Sequence, residues 1–212
     1  MDRRTFISAT TASTFASAFW APTPSFAQNF DSTIAKEEPL PEAFAPKLVS
    51  VKGNAAPGDI HVIPDHYSLY LAQPDNKAIR YYVGVGKDDL YESGTFFVGA
   101  KKKWPGWKPT EEMIERSPKQ YKRFEDGMPG GPNNPLGARA IYLFYPGRGD
   151  SFLRIHGTNR PKTIGFDVSN GCARLTNRQI LDLYERVPMK AKVVLHPKGI
   201  YDKRPIWKVK EG

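Results

Sequence analysis

Residues 152–175 read FLRIHGTNRPKTIGFDVSNGCARL, and they carry the strongest signals in the chain for both fold and chemistry. The first five residues predict a strand that ends at His156. Residues 169–172, Ser-Asn-Gly-Cys, predict a tight turn, because Gly171 tolerates backbone angles that other residues avoid. The stretch therefore predicts a strand that ends at a histidine, followed by a turn that carries a cysteine.

Cys172 is the only cysteine in 212 residues, and His156, one of four histidines, precedes it by 16 positions (172 − 156 = 16). A thiol attacks as its thiolate, and the pKa of a free cysteine is about 8.5. An imidazole nearby can take that proton, as it does in covalent acyl transfer by Cys–His enzymes. Backbone N–H groups at Gly171 would then face a developing oxyanion. These residues alone leave open a purely structural alternative, in which a small buried cysteine and a core histidine have only packing roles.

The first 27 residues resemble an export signal. Residues 2–7 resemble the twin-arginine pattern, in which a pair of arginines is followed by Phe and an aliphatic residue. Residues 25–27, Ser-Phe-Ala, offer small side chains at the two positions that a signal peptidase reads. We expect residues 1–27 to be a signal peptide and the protein to be periplasmic. Twin-arginine and Sec export both remain open, and the alternative is a disordered basic N-terminus.

Export bears on the single cysteine, because exported proteins usually carry their cysteines in pairs as disulfides. An unpaired thiol in an oxidising compartment is a liability unless it is buried or used. The position of Cys172 in a Ser-Asn-Gly-Cys turn, with Arg174 two positions later, favours use.

The formal net charge of +9 raises the question of a nucleic-acid partner. Export argues against nucleic acid, and the basic residues are spread along the chain, so an anionic cell-wall polymer or membrane surface is the better match. The chain has no long apolar run, and we expect no transmembrane segment in the mature protein. No metal-ligand spacing and no phosphate-binding glycine loop is present, so no cofactor or metal is expected. His61 and His66 are interpreted as surface residues.

The domain organisation follows from changes in composition. Residues 28–57 predict a linker, because they contain scattered proline and charge without a sustained period. Thr110 is a candidate N-cap, Thr176 begins a capping box before an apolar helical stripe, and residues 197–212 form a basic tail. Closely spaced strand signals between them predict an antiparallel sheet or barrel-like sandwich over residues 58–196. The predicted strands are 60–63, 67–71, 78–85, 95–99, 138–145, 152–156 and 191–195.

Residues 101–137 interrupt the strand pattern with a long excursion. Trp104 and Trp107 lie in a proline- and glycine-rich turn, and residues 127–137 are too rich in Gly and Pro for regular structure. Long loops inside compact domains often act as lids or binding loops, and the aromatic residues favour contact with substrate. The alternative is a loop that is merely solvated.

The chain resembles the L,D-transpeptidase (YkuD-domain) family, whose motif is a His-Gly element followed by Ser-His-Gly-Cys-x-Arg. Here the elements are His156-Gly157-Thr158 and Ser169-Asn170-Gly171-Cys172-Ala173-Arg174. Asn134-Pro135-Leu136-Gly137 also resembles the Asn-Pro-Leu-Gly element of the family. The resemblance covers about residues 58–196, most of the mature chain.

The resemblance implies a mainly β fold, an L,D-transpeptidase-like β-sandwich with one or two short helices and a long substrate loop. That loop would contain Trp104, Trp107 and Asn134. The resemblance also implies a peptidoglycan stem tetrapeptide as acyl donor, a Cys172 thioester and release of D-Ala. His156 would act as base and acid, with one ring nitrogen held by the Gly157 carbonyl.

The resemblance assigns the remaining motif residues to binding. The N–H groups of Cys172 and Gly171 would hold the oxyanion. Ser169 and Asn170 would belong to the same loop, and Arg174 would bind a substrate carboxylate or order the loop through an ion pair. The chain departs from the family at Asn170, where the usual residue is His; Asn has no basic nitrogen, and we interpret it as a hydrogen-bonding substitute.

Three functions remain in competition. The first is transfer of the acyl group to an amine, which forms a 3-3 cross-link or attaches a protein to the wall, with an outer-membrane protein or lipoprotein as possible acceptor. The second is L,D-carboxypeptidase or hydrolase activity on the same acyl-enzyme. The third is a non-catalytic wall-binding scaffold that uses the tryptophan loop and the basic surface.

Overall fold

The computed structural model describes residue 34 and residues 41–53 and 55–201. The predicted signal peptide of residues 1–27 lies outside the described residues, as do most of residues 28–40 and the end of the basic tail, residues 202–212. The division at residues 57 and 196 stays a prediction.

The described residues form a largely β domain, and the predicted mainly β fold is confirmed. Nine strands form one sheet in the order β1-β4-β3-β2-β11-β6-β7-β8-β10, and β5 pairs separately with β9. The strands are β1 Lys47–Ser50, β2 Ile60–Ile63, β3 Ser68–Gln73, β4 Lys77–Tyr82, β5 Val85–Gly86, β6 Gly94–Lys103, β7 Arg139–Tyr145, β8 Gly149–His156, β9 Asp167–Ser169, β10 Ala173–Arg174 and β11 Lys192–Leu195.

The two ends of the large sheet meet, as in a barrel-like sandwich. Gly84, just after β4, exchanges two backbone hydrogen bonds of 2.8 Å with Arg174 of β10. Side chains from both halves of the sheet, such as Leu69 and Ile155, are fully buried in one apolar cluster. Burial of each such side chain stabilises the fold by roughly 1.5–3 kcal/mol. The curled sheet therefore encloses the core.

Three strand pairs are parallel and depart from the antiparallel pairing that the strand spacing predicted. β2 and β11 are parallel, and so are the pairs β8–β10 and β5–β9. β5, β9 and β10 are only two or three residues long, so they contain too few residues for a visible alternation. The predicted strand 78–85 accordingly divides into β4 and β5.

Three α-helices occur in the described residues: α1 Glu111–Arg116, α2 Pro118–Tyr121 and α3 Asn177–Arg186. Both predicted caps are confirmed, because Thr110 accepts from the Met113 N–H and Thr176 forms a capping box with Gln179. The helix α2 was not predicted; it is a single turn that begins at Pro118. The apolar stripe of α3 is buried against the sheet.

The excursion between β6 and β7 begins later than predicted, because β6 continues through residues 101–103. These lysines remain in the strand by pairing with β7, and Lys101 Nζ donates to the Val187 carbonyl oxygen. We call residues 104–138 the excursion; it contains α1 and α2, while residues 127–137 lack helix and strand as expected.

Segments on both sides of residues 58–196 contact the domain. β1, within the segment predicted as linker, forms an edge strand antiparallel to β4. Residues 199 and 201 each donate a backbone N–H to the buried Asp65 carboxylate. The structure makes His61 only half-buried rather than exposed, and its ring hydrogen-bonds to His196 across 3.0 Å. Across the described part of the chain, none of the helices is both long and apolar enough for a bilayer.

Candidate active site

The register between β8 and β10 brings the two predicted catalytic side chains onto one face of the sheet. Arg174 pairs with His156, and Ala173 pairs with Ile155. Side chains alternate between the two faces of a strand, so Arg174 shares the face of His156, and the same alternation carried one residue before β10 puts Cys172 there too. The charges of Arg154 and Arg174 act on both His156 and Cys172, which agrees with this placement. Ala173 and Ile155 point the other way and belong to the core.

His156 is buried, with 3% of its surface exposed, and its orientation is fixed by its neighbour in sequence. The ring Nδ1 lies 2.5 Å from the Gly157 carbonyl oxygen. A carbonyl only accepts, so Nδ1 carries the hydrogen and Nε2 has the free lone pair. Burial, followed by the charge of Arg174, lowers the pKa of His156 to about 3, although the Gly157 hydrogen bond opposes this. The imidazole is therefore neutral at neutral pH and able to accept a proton.

Cys172 is half-buried, and burial raises the pKa of its thiol above the ordinary value. A hydrogen bond from the backbone of Arg154 and the positive charges of Arg154 and Arg174 act in the opposite direction. Burial thus favours the neutral form of both groups, the thiol of Cys172 and the imidazole of His156.

Arg154 is a site residue that the sequence reasoning missed. It lies two residues before His156 on β8, which places it on the same face of the sheet. Two nitrogens of its guanidinium contact the two oxygens of Asp150 at 2.6 and 2.8 Å, and the group stacks 4.0 Å from the Tyr142 ring centroid. A bidentate, stacked guanidinium is well fixed, so its charge stays beside the thiol. The two-residue spacing from His156 was the available signal.

Ser169 and Gly171 shape the loop that carries the thiol. Ser169 is buried, and its hydroxyl donates to the Cys172 carbonyl oxygen across 2.6 Å. Gly171 has φ 114°, and a Cβ there would lie 2.8 Å from the Leu90 carbonyl oxygen. Ser169 and Gly171 therefore stabilise the conformation of the turn that carries Cys172.

Asn177, the first residue of α3, connects the two glycine elements of the site and was also missed. Its Oδ1 accepts from the Ala138 N–H at 2.9 Å, and its Nδ2 donates to the Thr158 carbonyl oxygen at 3.0 Å. A Cβ on Gly157 would lie 2.3 Å from that Oδ1, so glycine is needed for the close approach. Asn177 thereby fixes the backbone that orients His156.

Asn134 forms hydrogen bonds with other residues of the excursion. It is 1% exposed, its Nδ2 donates to the carbonyl oxygens of Met128 and Pro129, and its Oδ1 accepts from the Leu136 N–H. The side-chain amide of Asn134 is thus hydrogen-bonded entirely within residues 128–136.

Both predicted tryptophans lie in the excursion. Trp107 packs against the rings of Tyr121 and Phe124 at centroid distances of 6.2 and 5.8 Å. It also lines an open cleft of about 410 Å³ together with residues 126–129. Trp104 adopts φ 42°, and its carbonyl oxygen would be 1.9 Å from a Cβ on Gly130. Contact of either ring with substrate stays a prediction.

Asn170 connects the nucleophile loop to the excursion. Its Oδ1 accepts from Arg116 Nη2 at 2.8 Å, and its Nδ2 donates to the Tyr121 hydroxyl at 2.9 Å. Arg174 Nη1 donates to the Thr163 hydroxyl at 3.2 Å, and no carboxylate among the residues described here forms an ion pair with Arg174. The ion-pair role considered for Arg174 therefore has no partner in this part of the chain.

Comparison with known proteins identifies the family. Residues 57–195 match the family model of the L,D-transpeptidase catalytic domain, YkuD. A putative L,D-transpeptidase, YqjB of Bacillus subtilis, is 36% identical over 145 residues, which cover 67% of this chain and 74% of that protein. The chain belongs to the L,D-transpeptidase family. A probable L,D-transpeptidase, YbiS of Escherichia coli, is 36% identical over 126 residues, which cover 58% of this chain and 39% of YbiS.

Two solved structures share the fold. The Enterococcus faecium L,D-transpeptidase C442S mutant superposes with a TM-score of 0.50 at 14% identity, covering 66% of this chain and 50% of that one. A Brucella melitensis protein, titled a probable carnitine operon oxidoreductase, is 45% identical with a TM-score of 0.50, covering 74% of this chain and 94% of that chain. The name of that protein indicates another chemistry, but the family model places this chain among the L,D-transpeptidases.

Proposed function

We propose that this protein is a cysteine-dependent L,D-transpeptidase that acts on peptidoglycan stem tetrapeptides. The observation that carries the proposal is the shared sheet face of Cys172 and His156, with His156 neutral and its Nε2 lone pair free. A neutral base of fixed tautomer beside a half-buried thiol is the arrangement that acyl transfer requires. Family membership supplies the substrate class.

In the acylation step a carbon–sulfur bond forms, a carbon–nitrogen bond breaks, and His156 carries one proton from the thiol to the leaving amine. His156 Nε2 takes the thiol proton as Sγ of Cys172 attacks the carbonyl carbon of the third stem residue. The oxyanion that forms is held by the backbone N–H groups of Cys172 and Gly171. His156 then returns the proton to the leaving amine, the carbon–nitrogen bond breaks, D-Ala leaves and a thioester remains.

The second half of the cycle repeats this in reverse. An acceptor amine attacks the thioester carbonyl and His156 takes its proton. The carbon–sulfur bond then breaks, and His156 returns the proton to Sγ to restore the Cys172 thiol. A diaminopimelate amine as acceptor gives a 3-3 cross-link, and an amine of an outer-membrane protein or lipoprotein gives attachment to the wall. A water acceptor gives tripeptide, which is the carboxypeptidase alternative. We propose that these reactions occur in the periplasm after removal of the signal peptide.

The test is incubation of the mature protein with purified disaccharide-tetrapeptide, followed by liquid chromatography and mass spectrometry. A cross-linked dimer that has lost one D-Ala supports transfer, and tripeptide alone supports hydrolysis. Cys172→Ala is the control, and it must give neither product. If the folded, reduced wild-type protein leaves the tetrapeptide unchanged, the enzymatic proposal is wrong and the wall-binding scaffold replaces it.

A further inference from the structure

Asn170 joins two parts of the chain that are far apart in sequence. Arg116 at the end of α1 and Tyr121 at the end of α2 are 54 and 49 residues away, and both hydrogen-bond to its side-chain amide. Asn170 lies two residues before Cys172, so this contact connects the excursion directly to the nucleophile loop.

The amide of Asn170 has only one orientation that satisfies both partners. A guanidinium only donates, so Oδ1 must face Arg116, which leaves Nδ2 to donate to the Tyr121 hydroxyl. An amide keeps this donor and acceptor pair at every pH. A protonated imidazole has two donors and no acceptor, and it could not accept from Arg116.

The two short helices of the excursion have little packing of their own to hold these side chains in place. Neither α1 nor α2 contains a buried residue, and each is only one or two turns long. Trp107 packs beside the Tyr121 ring, but the Tyr121 hydroxyl is fixed by Asn170. The Asn170 contact is therefore well placed to decide where Arg116 and Tyr121 lie relative to Cys172.

Positive charge accumulates at this end of the site. Arg174 lies beside Cys172, close enough to Arg160 and Tyr121 for both to influence its pKa, and burial lowers that pKa. Its Nε has no hydrogen-bond partner among the residues that the structure describes. Arg116 is exposed and has further N–H groups beyond the one given to Asn170. Its charge contributes to the lowered pKa of Glu112 on the same helix.

We propose that Asn170 is a positioning residue that holds Arg116 and Tyr121 at the mouth of the Cys172 site, where Arg116 and Arg174 bind a carboxylate of the acyl donor. The inference rests on the proposed function, because the stem tetrapeptide supplies the carboxylate. Guanidinium groups match carboxylates with two parallel hydrogen bonds, so this site would select donors whose carboxylate is free over donors in which it is an amide.

The experiment compares four acyl donors: the disaccharide-tetrapeptide with all carboxylates free, and three forms amidated at D-Glu, at the side chain of diaminopimelate or at the terminal D-Ala. Wild type, Asn170→Ala, Arg116→Ala and Tyr121→Phe are assayed for kcat and KM on each. Arg123→Ala is the matched control, because it removes an exposed arginine of the same excursion that contacts only the Phe124 ring among the interactions described. Thermal unfolding establishes that each variant is folded.

For the free donor, kcat/KM of Arg116→Ala and Asn170→Ala should fall by about tenfold or more, mainly through KM, as expected for loss of a charge-assisted hydrogen bond. Tyr121→Phe should lose less, and Arg123→Ala should match wild type. One amidated donor should be poor for wild type and equally poor for Arg116→Ala, and it identifies the carboxylate that is recognised. An equal loss on all four donors, or no loss, overturns the proposal.

The variant Asn170→His tests whether the hydrogen bond to Arg116 contributes to binding, apart from any effect of Asn170 on the structure of the loop. Asn170→His should retain wild-type kcat/KM while the imidazole is neutral and lose it as pH falls through the imidazole pKa, whereas wild type shows no such loss. If Asn170→His stays equal to wild type when protonated, the contact with Arg116 has no role in binding. If wild type itself forms neither thioester nor product from any donor, the proposed function fails first and this inference fails with it.

Discussion

His156 donates its Nδ1–H to the carbonyl oxygen of Gly157, the next residue in the chain. The base is thus oriented by backbone rather than by a carboxylate, and the acceptor carries no full charge that would stabilise an imidazolium. This explains why burial prevails and the pKa of His156 falls to about 3. The pH dependence of the reaction should reflect this lowered pKa.

The first prediction concerns the pH dependence of acylation. Because the pKa of His156 is about 3, the base is neutral over the whole range from pH 5 to 8. We expect kcat/KM for the tetrapeptide to show no acid limb near 6.5, the value of an ordinary imidazole. His156→Ala should lower kcat/KM by about 100-fold or more throughout that range.

The lowered pKa of His156 also makes the free energy of unfolding depend on pH, which limits the pH range in which rates can be compared. Between pH 6.5 and about 3 the unfolded chain binds a proton at His156 that the folded chain does not, so the free energy of unfolding decreases as pH falls through that window. Rates are therefore compared only where circular dichroism shows folded protein. An acid limb near 6.5 in folded enzyme would contradict the lowered pKa of His156, and wild-type rates in His156→Ala would contradict its assignment as the base.

The second prediction concerns the nucleophile. A carbapenem presents a strained acyl donor, and attack by Cys172 should open its ring and give one covalent adduct, visible as a single added mass by intact-mass spectrometry. The adduct should form on the folded wild-type protein, and peptide mapping should place it on Cys172. Cys172→Ala and unfolded wild type are the controls. Absence of the adduct from folded, reduced protein would count against Cys172 as an acyl acceptor.

The third prediction concerns Arg154, whose charge lowers the pKa of the Cys172 thiol against the larger effect of burial. Arg154→Met should raise the thiol pKa and slow alkylation by iodoacetamide at pH 8 by a few-fold, and Arg154→Lys should recover part of the rate. Alkylation rates measured against pH give the thiol pKa directly.

The matched control for Arg154 is Arg148→Met. Arg148 also stacks on a tyrosine ring, Tyr145, at 4.2 Å, but it is exposed and does not affect the Cys172 pKa. An unchanged thiol pKa in Arg154→Met, with Arg148→Met also unchanged, would show that the charge of Arg154 is fully screened at the thiol.

Local patterns in the sequence predicted the parts of this molecule that have local causes. The longer strands alternate or form apolar runs, and both N-caps follow from a hydroxyl placed before a helical stripe. The His-Gly and Gly-Cys elements were found because their residue types are chemically distinctive. β10, by contrast, has two residues, and it is a strand only because β8 and Gly84 pair with it.

The missed residues act through contacts that no local pattern encodes. Arg154 is one of many arginines, and its place beside Cys172 depends on the parallel register of β8 and β10. Asn177 was predicted only as part of a helix start, although its amide bonds to residues 19 and 39 positions away. Asn170 was interpreted as a hydrogen-bonding substitute, but its partners lie in the excursion, whose path the sequence does not indicate.

The last prediction tests the backbone that supports His156. Gly137 has φ 64°, and a Cβ there would lie 2.2 Å from Asn177 Oδ1 and 2.6 Å from the Gly157 carbonyl carbon. Gly137→Ala should therefore lower the free energy of unfolding by about 2 kcal/mol or more, through the left-handed backbone angle and the clash together. Gly147→Ala is the matched control, since its φ of 73° imposes similar backbone strain with no atom within 4 Å of the added Cβ. Chemical denaturation of both variants separates the clash from the strain.

Because the clash pushes on Gly157, Gly137→Ala should also lose acylation activity while folded, and Gly147→Ala should not. Equal losses in the two variants would mean that the contact between Gly137 and Gly157 does not determine the position of His156.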